Sequence, residues 1–425
     1  MAARFRFRLR QLAHDLTGGM LLVPAAMTVA LAAVGLALIE LEAHEALPRW
    51  AGGGWFFRND PGSALAVLGA IAGSMMAVVS IVYSVLLVAL SLASVQFSPR
   101  ILGGFVRDPV SQRTLGVFLG TFVYCLLVMR ATTTDPAWVP TWAVAVGCLL
   151  GLACLVFLIY FLHHIATGIQ VNNLVDRIAH ETSEVIDDVY RAEAAVAVPA
   201  LGEATAVTST GEGYLQLVDH DGLIAIARDH GVTVHVAVEP GDYVPRGAAV
   251  ARLVGGDASP AVLAACRDAF DLGPVRTMQP DVGFGVRQLV DVALKAISPA
   301  VNDPSTACTC IDRLGSLLAA IAPRRCGARV LADGGVARVV IPQPTFAQLA
   351  DLAFNQLRQY GRTDLAVSIR LLRAIEVAAR PASAAQRAHL RRHAELVRDG
   401  LSPDFLAADR QRFDAHLEGV LAQLG

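Results

Sequence analysis

The chain has 425 residues, of which 54% are hydrophobic and 17% charged, and its formal net charge is −2 at pH 7. A typical soluble protein carries about 25% charged residues, so this composition excludes a wholly soluble chain and indicates that part of it lies in a membrane. The near-neutral charge argues against a nucleic-acid partner, because nucleic-acid binding normally needs a basic face.

Four uncharged apolar stretches occupy the first third of the chain, at residues 20–39, 63–97, 114–129 and 138–162. A helix needs about 20 apolar residues to cross a bilayer, so we predict four transmembrane helices. No small-residue cleavage site follows the first stretch, and we therefore expect it to be retained rather than removed as a signal peptide.

The distribution of arginine predicts the orientation of these spans. The N-terminus and the loop between the second and third stretches hold seven arginines: Arg4, Arg6, Arg8, Arg10, Arg100, Arg107 and Arg113. The alternate loops hold Arg49 and Arg58, and Arg130 borders the third stretch. Because cytoplasmic loops carry the excess of Lys and Arg, we expect a bacterial inner-membrane protein with both termini in the cytosol.

Small and hydroxylated residues line one face of the second stretch at intervals of three, four or seven residues. We call this face the serine stripe, and it consists of Gly73, Ser80, Ser84, Ser91 and Ser94. Small residues let membrane helices approach closely, which favours a packing seam. Hydroxyls can also line a pore by replacing part of an ion's hydration shell, and both interpretations stay open.

The fourth stretch continues past His163 and His164 into an amphipathic pattern without a helix breaker. We therefore expect one helix over residues 138–190, a membrane span prolonged as a solvated stalk. The sequence divides into six parts: a basic N-terminus at 1–17, a membrane domain at 18–164, a stalk at 165–195, a small β-rich unit at 196–256, an α+β core at 257–344 and a helical subdomain at 345–425.

The polar half of the chain predicts a mixed α+β fold. Alternating valines at 232–238 indicate a strand, residues 329–341 a hairpin turning at Asp333-Gly334-Gly335, and 219–221 a solvated turn. Four helices follow at about 346–359, 364–379, 384–397 and 403–424. The arginine-rich stretch 386–393 is interpreted as a solvated face.

No cofactor or metal is predicted. The PGDYV turn at 240–244 is similar to turns of biotinyl and lipoyl β-barrels, but residues 214–254 contain no lysine to modify. The seven cysteines form no CxxC pair, and the chain has no GxSxG, P-loop or HExxH motif. The sequence therefore favours a protein that is not an enzyme.

Motif residues are densest at 276–314. They are Arg276-Thr277, Asp281, the run 284–300, Asn302-Asp303-Pro304 and Thr306-Ala307, with further matches at 94–102, 240–244 and 356–361. On these residues the chain resembles the bacterial family of predicted membrane proteins known as domain of unknown function 2254. The resemblance implies four spans and a cytosolic C-terminal domain, and no activity.

These motifs supply the candidate ligand or structural site: Arg276, Asp281, Arg287, Gln288, Asp291, Ser298, Asn302, Asp303, Thr306 and Arg313. Arg287, Asp291 and Lys295 share a helix face, as in a solvated ion-pair ladder. Asp303 is expected to cap a helix that begins at Pro304. The alternative is that an anion binds at that helix N-terminus, with Arg276, Arg287 and Arg313 around it.

Three functions follow from these features. The first is an oligomeric pore or transport-related protein in contact with lipid, assembled or gated by its cytosolic domain. The absence of Asp, Glu and Lys from the four apolar stretches favours a passive path over an ion-coupled carrier. The second is a membrane-tethered sensor or scaffold that binds a small anionic ligand or a protein, and the third is an enzyme, for which no catalytic set is found.

The predicted orientation is testable with intact cells. Protease added outside should leave the C-terminal half uncut, because arginine-rich loops stay in the cytosol. An immunoblot with an antibody to the C-terminus checks this, and lysed cells provide the control in which the same protease must cut. Loss of the C-terminal fragment from intact cells would overturn the predicted topology.

Overall fold

The computed structural model describes residues 21–45, 60–96, 108–134, 137–168, 170–191, 202–277 and 281–425. The chain forms two compact units, residues Arg8–Gln170 and Val171–Gly425. The basic N-terminal segment and the arginines at positions 49, 58, 100 and 107, on which the predicted orientation rests, lie outside the described residues.

The described residues of the first unit form four helices that are long and apolar enough to cross a membrane, as predicted. They are α1 Leu22–Ala43, α2 Pro61–Gln96, α3 Pro109–Ala131 and α4 Thr141–Gly168. A two-stranded hairpin, β1 Thr133–Thr134 with β2 Ala137–Trp138, connects α3 to α4. Two helices run past their expected ends, so Glu42 belongs to α1 and Arg113 belongs to α3.

Helix α3 is the central helix of this unit. In its apolar segment 56% of the residues are buried, against 11–22% in the apolar segments of the other three helices. Gly116 and Gly120 allow α1 to approach closely, since a Cβ at either position would meet Met27 or Leu31. On another side, the Tyr124 hydroxyl donates to the Ala143 carbonyl of α4 at 2.8 Å.

Polar side chains join the helix ends of the first unit. Glu42 accepts hydrogen bonds from the Ala143 amide at 2.9 Å and the Thr141 hydroxyl at 3.3 Å, where α4 begins. Asp108 caps α3, and its carboxylate lies 3.0 Å from His164 Nε2 at the far end of α4. These contacts connect α1 and α3 to opposite ends of α4.

The described residues of the second unit form two β-sheets. A five-stranded sheet has the order β3-β7-β5-β10-β9, in which only the β5–β10 pair is parallel. Its strands are β3 Ala204–Thr208, β5 Thr233–Val236, β7 Ala249–Val254, β9 Ala328–Asp333 and β10 Val336–Pro342. A three-stranded sheet has the order β6-β4-β8, with β4 Gly213–Val218, β6 Tyr243–Val244 and β8 Phe270–Gly273.

The larger sheet joins segments that the sequence analysis assigned to separate units. The hairpin β9–β10 forms where predicted, but Val339 and Val340 pair in parallel with Val234 and His235 of β5. A predicted turn is also corrected: Asp219 caps a helix, α6 His220–His230, because its carboxylate accepts from the Gly222 amide at 3.1 Å. One further short helix, α7 Pro260–Arg267, precedes β8.

The remaining helices of the second unit pack into a helical layer. They are α5 Val171–Val189, α8 Val282–Ala296, α9 Pro304–Ile321, α10 Phe346–Gly361, α11 Leu365–Ala379, α12 Ala384–Gly400 and α13 Ala407–Leu424. The last four lie close to their expected positions. Helix α8 contacts α5, α9 and α10, and most of its residues are buried, so it is the centre of this layer.

Helix α5 differs from the expected solvated stalk. Helix α4 ends at Gly168 and α5 begins at Val171. The apolar face of α5, including Leu174, Val175 and Ile186, is buried against α8 and α9. An amphipathic helix is stabilised when its apolar stripe is removed from water. The amphipathic pattern of residues 171–189 therefore predicts a helix correctly, but this helix is packed against its neighbours rather than solvated.

This packing predicts an asymmetric response to mutation along α5. Ile186→Ala deletes a fully buried side chain and should destabilise the second unit by about 2–5 kcal/mol. Glu184→Ala removes a side chain that is 68% exposed and should change stability by less than about 0.5 kcal/mol. Thermal unfolding of the full chain in detergent compares the two, and equal melting temperatures would indicate that α5 is solvated.

Candidate functional site

The serine stripe lies on the side of α2 opposite to the one that packs inside the chain. The buried side consists of Ala64, Leu68, Ala72, Met75, Val79, Val82, Leu86 and Ala89. Gly73, Ser80, Ser84 and Ser91 are exposed, and the side chain of Ser94 lies outside the described part. Among the described residues, the stripe is therefore not a packing seam between helices of one chain.

Two of the stripe hydroxyls, those of Ser80 and Ser84, donate hydrogen bonds within their own helix. Ser80 Oγ donates to the Met76 carbonyl at 3.1 Å, and Ser84 Oγ donates to the Ser80 carbonyl at 2.8 Å. Such bonds to the preceding turn make a hydroxyl tolerable in an apolar environment. They leave the hydroxyl oxygen with lone pairs that can still accept a hydrogen bond or contact a cation.

Asp281 is the most buried carboxylate of the predicted site, and it pairs with Arg276. Arg276 Nε and Nη2 donate to Asp281 Oδ2 at 2.9 and 2.6 Å, and Asp281 is 4% exposed. Asp281 also caps α8, since its other oxygen accepts from the Phe284 amide at 2.9 Å. Burial raises the pKa of Asp281, while the Arg276 guanidinium opposes that shift.

The fold brings a second sequence motif to this ion pair. Gly241, in the PGDYV turn, has φ +88°, and a Cβ there would overlap the Asp281 carboxylate and lie 2.8 Å from Arg276 Nε. The turn is held by the Asp242 carboxylate, which accepts from the Glu239 amide at 2.9 Å. Burial raises the pKa of Glu239, as do the charges of Asp242 and Asp281.

The other candidate charges have partners elsewhere. Arg287 Nε lies 2.8 Å from Asp291 Oδ1, and these side chains are only 25% and 10% exposed. The expectation of a solvated ladder is therefore wrong, because α8 is surrounded by other helices. Arg313 pairs with Asp176 of α5 at 2.7 Å. Arg276, Arg287 and Arg313 thus contact three different carboxylates rather than one shared ligand.

The Asn302-Asp303-Pro304 motif forms the predicted helix cap. Asp303 Oδ1 accepts from the Thr306 amide at 3.1 Å, and the Thr306 hydroxyl donates to Oδ2 at 2.5 Å. These hydrogen bonds lower the pKa of Asp303. Asn302 has φ +51°, and Ser298 Oγ donates to the Lys295 carbonyl at 2.7 Å. The cap already uses the donors that an anion would need.

Gln288 is buried on α8, within the helical layer.

The sequence interpretation missed a different group, formed by Asp351, His389 and His393. Its signal was present in the chain as two histidines four residues apart, which lie on one face of a helix. The surrounding arginines led to the interpretation as a solvated face, whereas His393 is buried.

The contact at Gly241 generates a prediction with an internal control. Gly241→Ala and Gly247→Ala both place a side chain at positive φ, +88° and +83°, which costs about 1–2 kcal/mol. Only Gly241 has neighbours within 4 Å, so its substitution should cost about 1–3 kcal/mol more through overpacking. Thermal unfolding of both variants measures the difference, and equal costs would argue against the close approach.

Comparisons with known proteins agree with the architecture. Residues 17–377 match the family model described as "Predicted membrane protein (DUF2254)". Uncharacterized proteins of Mycobacterium bovis and Mycobacterium tuberculosis are 32% identical to the chain over 338 residues, which is 76% of this chain. The chain spans 65% of the length of these relatives.

No solved structure matches the chain. The family match covers all four apolar helices and the second unit as far as α11, including the motif residues around Asp281. The chain therefore belongs to the DUF2254 family of predicted membrane proteins.

Proposed function

We propose that this protein is an oligomeric inner-membrane protein in which serine stripes from several copies line a passive path for small ions or solutes. In this proposal both termini and the second unit lie in the cytosol, where that unit assembles or gates the path. The observation that carries the proposal is the exposure of Gly73, Ser80, Ser84 and Ser91, opposite to the buried side of α2.

Lipid contact alone does not explain such a stripe. A face selected only for lipid gains nothing from hydroxyl groups, because hydrocarbon offers no donor to the lone pairs of their oxygens. Around an axis shared by several copies, the same oxygens could replace water molecules around a permeating ion. Exposed Leu87 and Val88 flank the stripe and offer apolar surface for contact between neighbouring copies.

The distribution of charge supports a passive path over the alternatives. A coupled carrier usually needs an ionisable group within its spans, and the four apolar stretches contain no Asp, Glu or Lys. A sensor for an anionic ligand needs available cations, but Arg276, Arg287 and Arg313 each contact a carboxylate of the same unit. The anion-sensor hypothesis therefore receives less support than the pore.

The proposal is tested by conductance of the purified protein in planar bilayers with KCl. Replacing both Ser84 and Ser91 with leucine should reduce conductance to background, since the larger apolar side chains narrow and dehydrate the path. The size of the particle in detergent should stay that of the wild-type oligomer.

Ala33→Leu is the control, because it places a leucine at an exposed small residue of α1, away from the stripe. It should conduct like the wild type. A wild-type oligomer that is silent in KCl, or a control that loses conductance as fully as the serine variant, would remove the pore from consideration.

A further inference from the structure

Two histidines and an aspartate of the helical layer converge on one point. His389 and His393 are one turn apart on α12, and Asp351 lies on α10, which packs against α12. The Nε2 atoms of the two histidines lie 3.0 and 2.9 Å from the same atom, Asp351 Oδ1. We call these three residues the histidine cluster.

The surrounding helices hold the cluster in place. Helix α12 begins with a capping box of Ser383 and Gln386, and Gln386 Nε2 also donates to the Ala322 carbonyl at 3.0 Å. The His393 ring packs edge-on against Phe354 with ring centres 5.5 Å apart. Side chains held in this way keep donor atoms in position without a large entropic cost on binding.

Internal hydrogen bonding leaves part of His393 unexplained. The side chain is 2% exposed, and its Nδ1 is buried without a hydrogen-bond partner among the described residues. Because Nε2 is the nitrogen that faces Asp351, Nδ1 lies on the other side of the ring and is not one of the atoms that converge in the cluster.

We propose that Asp351, His389 and His393 bind a divalent transition-metal ion such as Zn²⁺. The three ligand atoms lie within 4.8 Å of one another, a spacing that a single ion can bridge. Two imidazoles with one carboxylate suit zinc and neighbouring transition metals, whereas Mg²⁺ and Ca²⁺ prefer oxygen ligands throughout.

The exposure of the cluster suits a site with an open position. Asp351 is 49% and His389 is 21% exposed, so an ion can enter from solvent and keep a water molecule as a further ligand. Metal-bound histidines usually donate their second nitrogen to an acceptor, and its loss costs about 10- to 100-fold in affinity. Because His393 Nδ1 has no such acceptor, we expect moderate rather than very tight binding.

This inference is independent of the proposed pore. The cluster lies wholly within the second unit, and both histidines follow residue 377, where the family-model match ends. It adds a binding site for a metal ion that the sequence analysis did not predict.

Metal binding is tested on the full chain in detergent after treatment with a chelator. Titration calorimetry with Zn²⁺ should give one site per chain, and Co²⁺ should give the visible absorption typical of nitrogen and oxygen ligands. His389→Ala and Asp351→Asn should each weaken binding by about tenfold or more, because even loss of an outer-shell partner costs about 10- to 100-fold in affinity. The double variant His389→Ala with His393→Gln should not bind.

His416→Ala on α13 is the control, since His416 bonds to the Arg412 carbonyl and lies outside the cluster. It should bind like the wild type. Circular dichroism checks folding, and the two single variants retain buried His393, so the test does not depend on the double variant. Wild-type binding no tighter than that of Asp351→Asn, or equal loss in His416→Ala, would overturn the assignment.

Discussion

The second unit depends on the burial of one carboxylate. Asp281 caps the central helix α8, pairs with Arg276 and lies against the backbone of Gly241, so it connects the helical layer to a turn between strands. A buried charge is tolerated only when it is paired and hydrogen-bonded. The residues around Asp281 are constrained by this requirement. Gly241 is needed where the turn passes the carboxylate, Arg276 pairs with one carboxylate oxygen, and the Phe284 amide donates to the other.

The helices of the first unit follow a different rule. Helix α3 occupies the centre, and glycines on it let α1 approach while Tyr124 bonds to α4. Helices within a bilayer gain little from hydrophobic burial against one another, and close packing with internal hydrogen bonds is what stabilises such helices. Glu42 and Asp108 add polar contacts at the helix ends, where such groups are less costly.

Most charges of the predicted site serve the fold, and the features available for function lie elsewhere. The three arginines contact carboxylates of their own unit, and Asp303 occupies the donors of its helix. Among the described residues, two features outside these ion pairs are the exposed serine stripe of α2 and the histidine cluster between α10 and α12. The proposed path and the proposed metal site rest on these two features respectively.

The sequence by itself determined the four apolar helices, the hairpin at Asp333, the cap at Asp303 and the positions of the last helices. All of these depend on local patterns of hydropathy, turn residues and capping groups. The tertiary structure alone decided that α5 is packed, that β10 pairs with β5, that the serine stripe faces outwards, and that Asp351 meets two histidines. These facts depend on contacts between residues distant in the chain, and periodicity shows which face of an element is apolar but not what covers it.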